Sequence, residues 1–169
     1  MGAISIRSAR PGDAPEWERM RQALWPSEPG EHRREIAAYF AAKGWAEAGS
    51  VRGEAVAYRG VGAPNEVEVL VAVADDGQVI GFAEAGIRPY AEGCLSGRVA
   101  YLEGLFVKPA WRGRGVAAAL VAAVEAWGRA QGCTELASDA ELGNDASIAM
   151  HRALGFEEVE RIVCFRKDL

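Results

Sequence analysis

Residues 107–120, VKPAWRGRGVAAAL, set two arginines and two glycines between a proline and an alanine-rich run. Arg112 and Arg114 bring forked, permanently charged donors. Gly113 and Gly115 carry no Cβ, so a ligand can approach the backbone closely. Three chemistries fit this turn. It is a solvated loop, or a dinucleotide-binding turn of the form Gly113-x-Gly115-x-x-Ala118, or a cradle for a pyrophosphate at a helix start. The last draws on the unpaired N–H groups and partial positive charge of a helix N-terminus. Too little chain follows Gly113 for a two-halved dinucleotide domain. No Gly-Lys-Ser/Thr triplet is present to make a P-loop.

Acidic groups come next. Glu103 interrupts the apolar run VAYLEGLFV (99–107), where a charge is costly unless it is paired or functional. Asp139 closes LASD (136–139), as a turn residue or as a carboxylate poised for proton transfer. Asn144, Ser147 and His151 recur at spacings of three and four, which places them on one helix face. His151 there reads equally as a general acid or as a packing or capping histidine. The three cysteines, Cys94, Cys133 and Cys164, form no CxxC pair and sit in no recognisable nucleophile motif. Acyl-cysteine chemistry, a disulfide framework and a metal site are not expected.

These groups need elements to hold them. Residues 3–9 alternate as a half-buried strand, and Asp13 is expected to cap a helix running through Leu24, with Pro26 beyond it. A second helix, roughly 30–43, carries Ile36, Tyr39 and Phe40 on one face and stops at Gly44. Residues 44–66 are irregular and read as an insertion or a short extra hairpin. VEVLVAVA, the turn DDG and QVIGFAEAGI form a hairpin with Asp76-Gly77 at its tip. A surface loop, 88–98, leads into the buried strand 99–107. Val116, Leu120, Val124 and Trp127 make the apolar stripe of a helix that Gly132 ends. A strand over 134–139, a helix from Asn144 to Leu154 and a last strand over roughly 157–167 complete the chain.

The 169 residues, half hydrophobic and a quarter charged, suit one folded domain spanning 1–169. A net charge of −5 argues against a nucleic-acid partner and suits a cationic one. No apolar run is long enough to span a membrane or serve as a signal peptide, and Ile6 stands where a myristoylation motif needs Ser or Thr. A cytoplasmic location is expected.

Arg112-x-x-Gly115-x-Ala117, the apolar strand before it and the Asn144…Leu154-Gly155-Phe156 helix after it resemble the acyl-CoA signature of the GCN5-related N-acetyltransferases. QALWP (22–26), YLEGLFVKP (101–109), LASD (136–139) and HRALGFEEVERI (151–162) are similar, in order, to the aminoglycoside 6′-N-acetyltransferases of that superfamily. The resemblance implies a single α/β domain with a mixed, mostly antiparallel central sheet flanked by helices. It implies acetyl-CoA as co-substrate. The strand backbone at Leu105, Phe106 and Val107 would pair with the pantetheine. Arg112, Gly113, Arg114, Gly115, Val116 and Ala117 would hold the pyrophosphate, and Asn144 would lie along the cofactor. Trp25, Tyr90, Glu103, Asp139 and Glu160 would line the acceptor site. A homodimer is implied, with the C-terminal strand at the interface and Glu160 near a neighbour's cleft.

On this reading the acceptor amine attacks the thioester directly. Only on the order of 0.1% of an alkyl ammonium is neutral at pH 7, so a carboxylate has to bind it and help remove a proton. Glu103 and Asp139 are the expected groups, with His151, where the superfamily often has a tyrosine, as the acid for the departing thiolate. Two other readings stand beside it. One is an acetyltransferase of another small amine, a polyamine or a peptide N-terminus. The other is a non-catalytic acyl-CoA sensor, against which the joint presence of Glu103 and Asp139 counts.

Overall fold

The structure, a computed structural model, describes residues 3–45 and 66–168. The insertion expected near 44–66 therefore falls, over 46–65, outside the described residues. The elements are β1 (Ile4–Ser8), α1 (Ala14–Leu24), α2 (Glu31–Ala42), β2 (Val67–Ala74), β3 (Val79–Arg88), β4 (Val99–Val107), α3 (Val116–Ala130), β5 (Leu136–Ser138) and α4 (Asp145–Ala153). The strands form one sheet in the order β1-β2-β3-β4-β5. The first three pairings are antiparallel and β4–β5 is parallel.

The middle strands are apolar on both faces because both faces are covered. Val69, Val71, Phe82 and Phe106 face the side where α1 and α2 pack, against Trp17, Met20, Ile36 and Phe40. Leu70, Ala72, Ile80 and Leu102 face α3 through Val116, Leu120 and Val124, the stripe expected from the sequence. The β2–β3 hairpin turns where expected: Gly77 takes a φ of +84°, which a side chain would strain, and Asp76 accepts the Gln78 N–H.

Two expectations change. Asp13 does not cap α1 with its side chain. A short 3₁₀ turn, Pro11–Asp13, precedes the helix. The Asp13 carboxylate accepts the Arg10 N–H at 2.8 Å and two Arg7 nitrogens at 2.6 and 2.9 Å. It ties the turn to β1, a task a short carboxylate can do only because Arg7 reaches across to it. The C-terminal segment forms no strand over 157–167. A strand needs a ladder partner, and within the described residues of one chain none lies beside it. Its Val159, Ile162, Val163 and Phe165 are exposed.

Beneath α1 and α2 lies a buried ionic cluster with no clear trace in the sequence. Arg21 meets Glu35 at 2.6 Å and Glu84 at 2.9 Å, all three almost fully buried, and the Trp17 indole N–H donates to Glu84 at 2.7 Å. Buried charges persist only when paired and hydrogen-bonded, as here.

Burial works against the Asp13 charge, but Arg7 and the Arg10 N–H outweigh it and hold its pKa below the usual aspartate value. The stability it contributes is thus present above the unfolded-state pKa of about 3.9. It fades as pH falls through that value toward the folded pKa. Asp13→Asn is expected to cost about 2 kcal/mol at pH 7. Its penalty should shrink on acidification below about pH 4 in urea titrations; a penalty unchanged between pH 7 and pH 3 contradicts this.

Candidate active site

The site begins with an irregularity in β4. Glu84 pairs with Gly104 and Ala85 with Leu102, so Glu103 is the extra residue of a β-bulge. On its other edge β4 pairs with β5 only over Ala100–Leu102. Past that point the strands part, and the Ser138 hydroxyl donates to the Leu102 carbonyl where they separate. Residues 103–107 continue with no strand beside them on that edge among the described residues.

Which backbone groups face this open edge follows from strand alternation. The Lys108 N–H donates to Ile80 in β3 at 2.9 Å. A residue's N–H and C=O point to the same side of a strand, and the side alternates. Leu105 and Val107 therefore turn theirs outward. The Val107 carbonyl does so visibly, since it accepts Arg112 Nε at 2.9 Å.

This edge leads to the start of α3. Gly113 and Gly115 have φ of +71° and +80°, and nothing lies within 4 Å of where a Cβ would sit on either. Gly115 is the N-cap and carries no side chain to satisfy the first-turn N–H groups. The guanidinium of Arg112 lies over Phe106 at 5.8 Å, and that of Arg114 over Trp111 at 5.3 Å. Residues 112–115 are exposed. An open helix N-terminus, two side-chain-free residues and two anchored arginines suit a bound polyanion.

At the other end of the open edge Glu103 is not free. Arg88, the last residue of β3, donates to both its carboxylate oxygens, at 2.9 and 2.5 Å. The Arg88 guanidinium lies 3.4 Å from the centre of the Tyr101 ring. Gly86 stands opposite Tyr101 and leaves no side chain between them. Burial opposes the Arg88 charge, while Glu103, Tyr101 and Asp139 favour it and win. The Tyr101 hydroxyl is held well above the usual tyrosine range by burial and by the Asp139 carboxylate, against the pull of Arg88. It is thus a neutral hydroxyl. Arg88 and Tyr101 were missed in the sequence, where Arg88 read as the start of a loop and Tyr101 as an apolar strand residue.

The other expected residues are spread out. Trp25, half-buried at the end of α1, lays its ring over Gly104 beside the bulge, 6.5 Å from the Phe82 ring. Tyr90 is exposed in the loop after β3. Asn144 caps α4, its side-chain oxygen accepting the Ser147 N–H. His151 Nδ1 donates to the Ser147 carbonyl at 2.8 Å, and Nε2 sits 3.0 Å from Ser138 Oγ. Both its nitrogens thus have protein partners. An open cavity of about 1220 Å³ on the outer side of β5 gathers Tyr101, Asp139, His151 and Glu160. Glu103, Trp25, Tyr90 and the α3 start lie outside it.

Burial and Glu135 push the Cys94 thiol up, and burial does the same for Cys133, which disfavours the thiolate an acyl-cysteine needs. Among the described residues no three His, Cys, Asp or Glu side chains converge to hold a metal ion. No described helix is long and apolar enough to cross a membrane.

The model of the acetyltransferase (GNAT) family matches residues 17–156. An aminoglycoside N(6′)-acetyltransferase type 1 of Klebsiella aerogenes is 46% identical over 165 residues, 97% of this chain and 96% of that protein. One of Stenotrophomonas maltophilia is 40% identical over 168 residues, 99% and 95% of the two chains. The solved structure of AAC(6′)-Iy with the bisubstrate analogue CoA-S-monomethyl-acetylneamine superposes with a TM-score of 0.80 at 37% identity, covering 99% of each chain.

Removing one partner of a half-buried pair leaves the other without compensation. Arg88→Ala is expected to lower stability by about 1–2 kcal/mol, less than for a fully buried pair. Arg88→Ala combined with Glu103→Gln should recover part of it. Thermal denaturation of the parent and the two variants checks this, and a double variant no more stable than Arg88→Ala contradicts it.

Proposed function

The chain belongs to the acetyltransferase (GNAT) family, and on that premise we propose that it transfers acetyl from acetyl-CoA to the 6′-amino group of aminoglycoside antibiotics, conferring resistance. The observation that carries this reading is the open edge of β4, running from the Glu103 bulge to the glycine-arginine turn at α3. A thioester laid along that edge lies between a carboxylate that can hold an amine and a helix start that can hold phosphates. Residues 1–169 act as one acetyltransferase domain on this reading.

In the proposed arrangement Arg112–Ala117 and the α3 N–H groups bind the pyrophosphate, and Leu105 to Val107 bind the pantetheine, with Asn144 beside it. The Val107 N–H, facing the open edge, donates to the oxygen of the attacked carbonyl as charge develops there. The acceptor's ammonium loses a proton to Glu103 or Asp139, its nitrogen forms the new C–N bond and gives up a second proton to water, and the C–S bond breaks. The thiolate takes a proton. His151 can pass one only through Ser138, which its Nε2 faces. Arg88 bears on the assignment of the base: with both Glu103 oxygens engaged, Asp139 is the less encumbered carboxylate.

Trp25 and Tyr90 offer aromatic faces to sugar rings and ammonium groups. Carboxylates at Glu103, Asp139 and Glu160 suit a polycationic acceptor, as does a net charge of −5, which disfavours nucleic acid. We place the reaction in the cytoplasm. A homodimer accounts for the C-terminal segment, whose apolar residues are exposed in the single chain.

Acetyl-CoA-dependent thiol release with neomycin and paromomycin tests the acceptor. The first carries an amine at the 6′ position and the second a hydroxyl. Turnover confined to neomycin is expected, and equal rates contradict 6′ transfer. Asp139→Ala is expected to lower kcat/KM about a hundredfold or more. Light scattering at micromolar concentration should report a dimer; a monomer removes the interface.

A further inference from the structure

Trp25 is held from three sides in a way that packing alone does not demand. Below its ring lies Gly104: a Cβ built there would stand 2.2 Å from Trp25 Cη2 and 2.6 Å from Cζ2. No real contact is that close, so the indole occupies the volume a side chain at 104 would fill. Behind the ring, the Arg21 guanidinium lies 5.5 Å from its centre. Arg21 is itself fixed by Glu84, which stands directly across the sheet from Gly104, and by Glu35 of α2. The Trp25 carbonyl accepts from His32 Nε2 at 2.7 Å, so that nitrogen carries the ring's proton. His32 Nδ1 turns back toward Glu35, 3.9 Å away.

We propose that Gly104, Arg21 and His32 form a socket that sets the Trp25 indole as one wall of the acceptor site, and that Gly104 is thereby a specificity-determining residue. Four charged or titratable side chains from α1, α2 and β3 are buried here between the Trp17 indole and the half-buried Trp25 ring. Such a cluster stabilises less than a well-packed apolar one of the same size. What it provides is direction. Arg21 is paired on both sides and cannot swing, so the cation over which the indole lies is fixed, and the His32 bond fixes the backbone that carries the indole. The ring is then placed beside the Glu103 bulge, one residue from Gly104, where an ammonium held by a carboxylate would meet an aromatic face. These are positioning residues: they act through Trp25 and touch no reacting atom. The inference rests on the proposed acceptor class for its consequence, but the socket itself does not.

The test uses Gly104→Ala, Trp25→Phe and the double variant in the full chain. Two readouts separate the socket from the acceptor. The first is the near-ultraviolet circular dichroism owed to Trp25, taken as the difference between each protein and its Trp25→Phe counterpart. A fixed indole gives a strong signal in the parent, and the signal should be mostly lost in Gly104→Ala; its persistence overturns the socket. The second is steady-state kinetics with kanamycin. Gly104→Ala is expected to raise the acceptor KM about tenfold, with the acetyl-CoA KM unchanged as a control on folding. Adding Trp25→Phe to Gly104→Ala should then have little further effect. A lost signal with unchanged acceptor KM shows that the socket serves packing and overturns the specificity claim. If the parent does not turn over kanamycin or any other aminoglycoside, the acceptor class falls, and the dichroism alone then judges the socket.

Discussion

The short parallel pairing of β4 with β5 is the constraint on which the site depends. Hydrogen bonds join the strands only over Ala100–Leu102, and the next residue, Glu103, is a bulge. An ordinary strand at this place would carry the ladder on to Val107 and bury the outward N–H and C=O groups of Leu105 and Val107. The early separation leaves them without a ladder partner beside a helix start; the Val107 C=O takes Arg112 Nε instead, and the remaining groups call for a partner. The Ser138 hydroxyl on Leu102 and the His151 ring behind Ser138 hold the point of separation. The bulge, the fork and the turn before α3 therefore work together: change the register of β4 and all three move.

The acidic side of the site is more constrained than a row of carboxylates. Arg88 pairs with Glu103 through a two-pronged bond, and its guanidinium lies over the Tyr101 ring. On the proposed function, a polycationic acceptor would meet Glu103 already paired with Arg88, so binding there would exchange one ion pair for another. On that proposal selectivity would rest on geometry, on where Trp25 and Asp139 stand, more than on total charge.

Much of the framework was legible because it is written locally. The β2–β3 hairpin follows from an Asp-Gly turn between apolar runs, and α3 from an apolar stripe that begins after Gly115 and ends before Gly132. The glycine-arginine turn was legible for the same reason: the residues that make it are neighbours in the chain. What escaped was long-range. Arg88 and Glu103 are on different strands, Arg21, Glu35 and Glu84 on three different elements, and no periodicity links them. Asp13 looked like a helix cap because its type and place fit one, but Arg7 competes for it. The strand expected over 157–167 has the right composition, yet composition does not supply a ladder partner, and one chain offers none among its described residues. The 1220 Å³ cavity, too, could not be foreseen, since it depends on where that segment goes.

Residue-resolved amide hydrogen exchange with and without acetyl-CoA tests the central claim most directly. If the open edge of β4 carries the co-substrate, the Leu105 and Val107 amides and those of the first turn of α3 gain protection on binding. The Lys108 amide, already bonded to Ile80, changes little. Saturable binding that leaves Leu105 and Val107 unprotected, while other segments slow, would mean that the co-substrate lies elsewhere and that the fork in the sheet does not build the site.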